Sequence, residues 1–81
     1  MKRSFELYGR LRDVGFGSTL LVDVPASASA RDALSLLKPL FGRKASLLTG
    51  CVLASPSDVL ASSDAIPKTG RLAVLPPVCG G

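Results

Sequence analysis

The sequence predicts an α+β domain, a mixed sheet of about five short strands with one helix packed across it. Three observations carry this expectation. Apolar and polar residues alternate over Ser4–Leu11 and again over Thr19–Val24, the period-two pattern of half-buried strands. From Ala30 to Phe41 the apolar spacing changes to three and four, as on one face of a helix. Short apolar runs then return, separated by turn residues. The 81 residues suffice for one domain. A chain of this length hides only about 60% of its unfolded surface, which leaves no room for a deep internal active site.

In the first strand, Phe5, Leu7 and Leu11 point to one side, and Glu6, Tyr8, Arg10 and Arg12 to the other. Asp13–Ser18 brings two glycines and a polar start, as a connecting loop does, so the first two strands read as a hairpin. Leu20, Val22 and Val24 face inward on the second strand, which Pro25 ends. Ser29 is the expected helix N-cap. Asp32, three residues on, places an acid in the first turn, where it suits the helix dipole. Ala30, Ala33, Leu34, Leu37 and Phe41 form the buried face. Pro39 has no N–H for the helical ladder, so the helix is expected to stop or kink near Lys38, with Gly42 closing the segment. Leu47–Ala54 contains Cys51-Val52-Leu53-Ala54, a compact apolar strand, with Cys51 as a small core residue. Ser55-Pro56-Ser57-Asp58 is turn chemistry, and Val59-Leu60 is a short extended piece. Ser62-Ser63-Asp64 is a loop, Ile66 a lone apolar anchor, Pro67–Gly70 a turn and Arg71–Leu75 the last strand. One small core of this size is worth roughly 3–5 kcal/mol.

Composition removes most catalytic classes. The chain contains no histidine, which excludes Ser-His-Asp and Cys-His catalysis, His-ligated zinc and an imidazole switch. Cys51 and Cys79 are too far apart for a CxxC redox or metal motif. No metal site and no bound cofactor are expected. No stretch approaches the roughly 20 apolar residues of a membrane span, and the basic start lacks the apolar run of a signal peptide. The expected compartment is the cytoplasm, with no membrane partner and both thiols reduced. The net charge of +4 lacks the interleaved aromatics of a nucleic-acid surface and reads as a mildly basic solvated face. Lys68 and Arg71 read as solvated turn residues near the base of the tail.

The end of the chain is the unusual feature. Residues 1–75 are expected to form the domain and residues 76–81 a flexible tail, Pro76-Pro77-Val78-Cys79-Gly80-Gly81. Two prolines end the last strand and hold the exit in an extended path. Six residues at 3.3–3.6 Å each reach about 20 Å beyond the sheet. Frayed, small-residue termini are common, but a merely loose end has no need of a stiff base on a core strand. Gly80 and Gly81 offer the narrowest backbone, able to enter a slot that a Cβ would block. The distinctive group at this tip is the Gly81 carboxylate, ionised and a poor electrophile. It becomes reactive once an ATP-using partner adenylates it. Sulfide or a persulfide then gives a thiocarboxylate, and a lysine gives an isopeptide bond. These properties describe a carrier whose terminus is chemically loaded.

Together with Tyr8-Gly9-Arg10-Leu11-Arg12, Val24-Pro25 before Ser29-Ala30-Arg31-Asp32, and the Thr69-Gly70 turn, the Leu75–Gly81 ending resembles the ubiquitin-like β-grasp sulfur carriers of the MoaD/ThiS family. Within them it is most similar to the small subunit of molybdopterin synthase, over essentially the whole chain. The resemblance implies a ubiquitin-like β-grasp fold. It implies that an E1-like adenylyltransferase spends ATP to activate Gly81, and that a sulfur donor converts it to a thiocarboxylate. Gly80 and Gly81 are then the reacting tip, and Leu75, Pro76, Pro77, Val78 and Cys79 the partner-binding stem. The tail enters the molybdopterin synthase large subunit, in a heterotetramer, where its sulfur helps build the dithiolene of molybdopterin. Cys79 reads as a slim spacer rather than a working thiol. Three alternatives stay open: a protein modifier joined to lysines through Gly81, a thiamine-pathway sulfur carrier, and a small basic nucleic-acid-binding domain. The last leaves the Pro-Pro-Val-Cys-Gly-Gly ending unexplained.

Overall fold

The computed structural model describes residues 1–77. In chain order it contains β1 (Lys2–Leu7), a 3-10 turn (Gly9–Val14), β2 (Thr19–Asp23), α1 (Ala30–Phe41), a second 3-10 segment (Gly42–Leu48), β3 (Val52–Ala54), β4 (Val59–Leu60) and β5 (Leu72–Leu75). The strands form one sheet in the order β2-β1-β5-β3-β4, so the last strand is the central one. β1 pairs antiparallel with β2 and parallel with β5, with Phe5 opposite Leu72 and Leu7 opposite Val74. β3 pairs antiparallel with β5, Val52 opposite Leu75, and with β4.

Strand alternation decides which side chains are covered. Phe5, Leu7, Leu53, Leu72 and Val74 project from one face of the sheet and are fully buried. Ala30, Ala33, Leu37 and Phe41 of α1 join them in one core, with Leu34 packed at its margin. Leu11, Val24, Ala28, Leu48, Cys51 and Ile66 close it from the connections. This is the mixed five-stranded sheet with one crossing helix that the sequence predicts.

α1 begins as its sequence specifies. Ser29 Oγ accepts from the Asp32 amide, and the Asp32 carboxylate accepts from the Ser29 amide, both at 3.2 Å. The remaining first-turn donors are met by chain from far away. The Ala30 amide donates to the Asp64 carbonyl at 2.8 Å and the Arg31 amide to the Ser62 carbonyl at 3.0 Å. The 62–66 loop is therefore docked on the helix start, with Ile66 buried beneath it. Replacing Ser29 by alanine is expected to lower stability by about 1 kcal/mol, read as a lower urea midpoint with an unchanged slope.

Four sequence expectations are corrected. β1 ends at Leu7, not Leu11. Gly9, at φ +60°, turns the chain out of the sheet, and the Leu11 amide closes a turn onto the Tyr8 carbonyl. Leu11 still reaches the core, by a 3-10 turn rather than a strand, and the β1–β2 connection is correspondingly longer than a tight hairpin loop. α1 continues through Pro39 to Phe41, where the Gly42 amide caps the Lys38 carbonyl. Pro39 lies in the last turn on the exposed side of α1, the side that also carries Ser35, whose carbonyl it leaves without a ladder donor, so the cost is small. β3 starts at Val52, one residue after Cys51, where Gly50 has just turned the chain at φ +80° out of the second 3-10 segment. β5 starts at Leu72, one residue after Arg71.

Two polar contacts tie the two ends of the domain to its sheet. The Met1 ammonium donates to Asp23 Oδ1 at 2.8 Å, and this hydrogen bond, ahead of the accompanying charge attraction, holds the Asp23 carboxyl below its ordinary value of 3.8. Because the folded-state value is the lower one, the pair's contribution is present above that ordinary value and fades as pH falls through the lowered one. An Asp23→Asn variant should therefore unfold more readily than the parent at neutral pH and converge with it in acid. The pair is exposed, so the effect is small. The second contact is larger. Arg3, the buried charged side chain of the domain, donates from Nη1 to the Pro67 carbonyl and from Nη2 to the Gly70 carbonyl, the latter at 3.0 Å.

Candidate functional site

β5 ends at Leu75, and the stem of the tail leaves from the middle of the sheet. Because β1 runs parallel to β5, the segment after β1 lies at the same end as the stem. Because β3 runs antiparallel, the segment before it lies there too. Tyr8-Gly9 and Gly50-Cys51 thus flank the exit of Pro76 and Pro77. Proline can donate to neither neighbouring ladder, so the sheet ends where the stem begins.

The flanking glycines come close to the stem. A Cβ placed on Gly9 would stand 3.2 Å from Pro76 Cγ, and one on Gly50 would stand 3.4 Å from Pro77 Cβ and Cγ. Both glycines have positive φ, at +60° and +80°. Beside the stem lies an open groove of about 300 Å³ lined by Gly9, Arg10, Leu11, Ser46, Leu47, Thr49, Pro76 and Pro77. The sequence reading missed both glycines as site residues. The available signal was an isolated glycine within an otherwise alternating strand pattern, which marks a close backbone approach.

The two turns around the stem are rich in cations. Arg10 and Arg12 lie on the first 3-10 turn and Arg43 and Lys44 on the second, with Asp13 the one acid between them. Arg12 is held in place. Its Nε donates to the Leu7 carbonyl at 2.9 Å, and its guanidinium lies 5.6 Å from the Tyr8 ring centroid. Lys44 reaches the Asp13 carbonyl at 3.5 Å, which links the two turns.

The face of the sheet opposite α1 is uncovered. Thr19, Glu6, Ala73, Ala54 and Val59 form one row across all five strands. Leu21 and Val59 are about two-thirds exposed there. Arg71 pairs with Glu6 at 3.3 Å across this face, largely in solvent, beside a hollow of about 220 Å³ that Tyr8, Ser55 and Pro56 complete. Lys68 is exposed. Neither cation adjoins the stem groove. An exposed pair of this kind contributes at most about 1 kcal/mol.

Of the residues the sequence singles out, Leu75 is half-buried opposite Val52, Pro76 is half-buried and Pro77 is exposed. Val78, Cys79, Gly80 and Gly81 lie outside the described residues. Cys51 is a buried core residue, its Sγ donating to the Leu47 carbonyl at 3.2 Å, and burial pushes its thiol up from the ordinary range. In a Cys79→Ser background, Cys51 should react with a disulfide reagent only as fast as the domain opens, and rapidly in denaturant. Fast labelling of the folded protein would contradict its burial. Among the described residues, no group of three or more Cys, Asp or Glu is placed to hold a metal ion, and no helix is long and apolar enough to cross a membrane.

No family model matches the sequence, and no curated protein matches it. Solved structures do. The crystal structure of small archaeal modifier protein 1 of Haloferax volcanii is 26% identical, with 95% of this chain and 98% of that one aligned at a TM-score of 0.68. The solution structure of the HVO 2177 protein of the same organism aligns over 100% of this chain and 87% of the other, at 18% identity and a TM-score of 0.79. A putative molybdopterin converting factor, subunit 1, of Pyrococcus furiosus aligns over 96% and 99% at 13% identity and a TM-score of 0.68. At the last two identities the likeness is one of fold. The fold is the ubiquitin-like β-grasp.

Proposed function

We propose that this chain, a ubiquitin-like β-grasp protein that fits the MoaD/ThiS type, is a sulfur carrier and the small subunit of a molybdopterin synthase. The observation that carries the reading is the Pro76-Pro77-Val78-Cys79-Gly80-Gly81 run placed directly after the central strand of that fold. The stem starts where two neighbouring strands can steady its base, and the sequence beyond it thins to two glycines. The similarity in fold to a protein named as a putative molybdopterin converting factor subunit supports the same direction.

The chemistry follows from the carboxylate. On an E1-like partner, a Gly81 oxygen attacks the α-phosphate of ATP and pyrophosphate leaves, which gives an acyl-adenylate. Sulfide-level sulfur then attacks the carbonyl carbon. The C–S bond forms, the C–O bond to AMP breaks, and a thiocarboxylate remains. In the large subunit this sulfur passes to the pterin precursor, water restores the carboxylate, and the tail is ready for another cycle. This chain contributes the acyl group and its presentation. The general acids and bases belong to its partners, which matches a sequence without histidine. Intact-mass measurement of the protein made alongside its native partners tests the reading. A sulfur-for-oxygen mass gain confined to Gly81 is the expected result, and its absence while those partners are active overturns it.

A second reading, attachment to lysines as a protein modifier, is favoured by the 26% identity to the archaeal modifier protein. Higher-mass forms that survive boiling and reductant, and that disappear when Gly81 is removed, would assign the chain to that role. The sulfur gain on free protein alone assigns it to carriage.

A further inference from the structure

We infer that Gly9 and Gly50 form a saddle that seats the diproline stem and sets the direction in which the tail leaves the domain, making them positioning residues for the loaded terminus. The six glycines of the described residues all have positive φ. At Gly15, Gly17, Gly42 and Gly70 a Cβ would meet nothing within 4 Å, so those four serve the backbone turn alone. Gly9 and Gly50 differ in that a Cβ on either meets other chain atoms, and at both those atoms belong to the stem. A Cβ on Gly9 would crowd Pro76, and one on Gly50 would come into ordinary contact with Pro77, from two turns some forty residues apart in sequence. Consecutive residues of the stem thus each have a glycine backbone close by, one on the β1 side and one on the β3 side.

The arrangement has a mechanical consequence. A tail hung on a single point swings through a wide cone. Two rigid pyrrolidine rings braced between two backbones restrict that cone at its origin. Each angular error at the base is multiplied along the tail before it reaches Gly81. A Cβ on Gly9 requires Pro76 to give way by a few tenths of an ångström, which tilts the stem. Misplacement of a reacting group by about 1 Å is enough to slow a positioned reaction up to a hundredfold.

The functional part of this inference rests on the carrier reading, and the geometric part does not. Geometry is tested first, on the full chain carrying Cys51→Ala so that a nitroxide attaches to Cys79. In this parent, amide broadening is expected to concentrate on residues around Gly9 and Gly50. Adding Gly9→Ala or Gly50→Val should disperse it, while Gly17→Ala, which introduces a side chain at φ +77° with open space around it, should leave it unchanged. A double-mutant cycle of Gly9→Ala with Pro76→Ala separates contact from backbone strain. A saddle contact makes the loss of unfolding midpoint from Gly9→Ala smaller when Pro76 is absent. Additive losses and an unchanged broadening pattern would overturn the inference. With native partners present, Gly9→Ala and Gly50→Val are expected to lower the rate of sulfur loading about tenfold, with Gly17→Ala at the parent rate. Loading of the saddle variants at the parent rate would also overturn it, whereas a parent that never gains sulfur removes the carrier reading and leaves the label result standing.

Discussion

Deleting Gly81, or changing Gly80 to valine, is expected to abolish sulfur loading, a loss of at least a hundredfold, while the domain melts at its usual temperature. The two halves of this result have separate causes. Loading requires the terminal carbonyl to reach an adenylating centre, and removing one residue at about 3.3–3.6 Å per residue withdraws it beyond bonding distance. A valine at position 80 adds a branched side chain where the proposed channel admits only backbone. Stability is untouched because the core closes at Val74 and the sheet ends at Leu75, upstream of either change. The measurement is an intact-mass time course beside a thermal melt. Normal loading of the deletion variant, which still ends in a carboxylate on Gly80, would show that the tail's exact reach does not matter to the mechanism.

Arg3→Met should have the largest effect on the fold, a loss of about 2–3 kcal/mol. Burying an arginine is unfavourable unless its donors are met. Here the guanidinium fork spans two carbonyls, Pro67 and Gly70, of the turn that delivers the chain into β5. Methionine fills similar space but gives up two hydrogen bonds from a charged group, a class worth roughly 1.5–3 kcal/mol each, partly replaced by water at the half-buried Pro67 and the exposed Gly70. In a domain whose core supplies roughly 3–5 kcal/mol, this is most of the margin. Arg3→Lys should recover only part of it, because one ammonium on a flexible stem does not reproduce the planar fork. Urea unfolding decides the matter. A midpoint for Arg3→Met equal to the parent's would show that the clamp does not hold the turn. The same contact bears on function, since β5 is the strand from which the stem leaves.

Much of the molecule is legible without coordinates. The capping box at Ser29 and Asp32 is local chemistry within four residues, and it forms as read. The burial of Phe5, Leu7, Ala33, Leu37, Phe41, Leu72 and Val74 follows from periodicity. The misreadings have two causes. Leu11 continues the apolar spacing of Phe5 and Leu7 yet reaches the core from a 3-10 turn rather than a strand, and composition does not separate the two backbones. Pro39 was overweighted because its cost depends on whether the orphaned carbonyl faces protein or water, which is a matter of packing. Arg3 gave no sign of its role. Among Lys2, Arg10 and Arg12 it reads as one more surface cation, and the acceptors that bury it lie more than sixty residues away.

The chain's order of residues determined by itself that there is one small α+β domain, where its helix starts, and that two prolines follow the last strand ahead of a glycine pair. Those features rest on interactions between near neighbours or on the bare chemistry of proline, glycine and a carboxylate. Only the tertiary structure decided that β5 is the central strand, that Arg3 clamps the turn before it, and that Gly9 and Gly50 meet at the stem. Each of these depends on strand order and register, set by which apolar faces close on one core, and distant segments become neighbours only when that core forms.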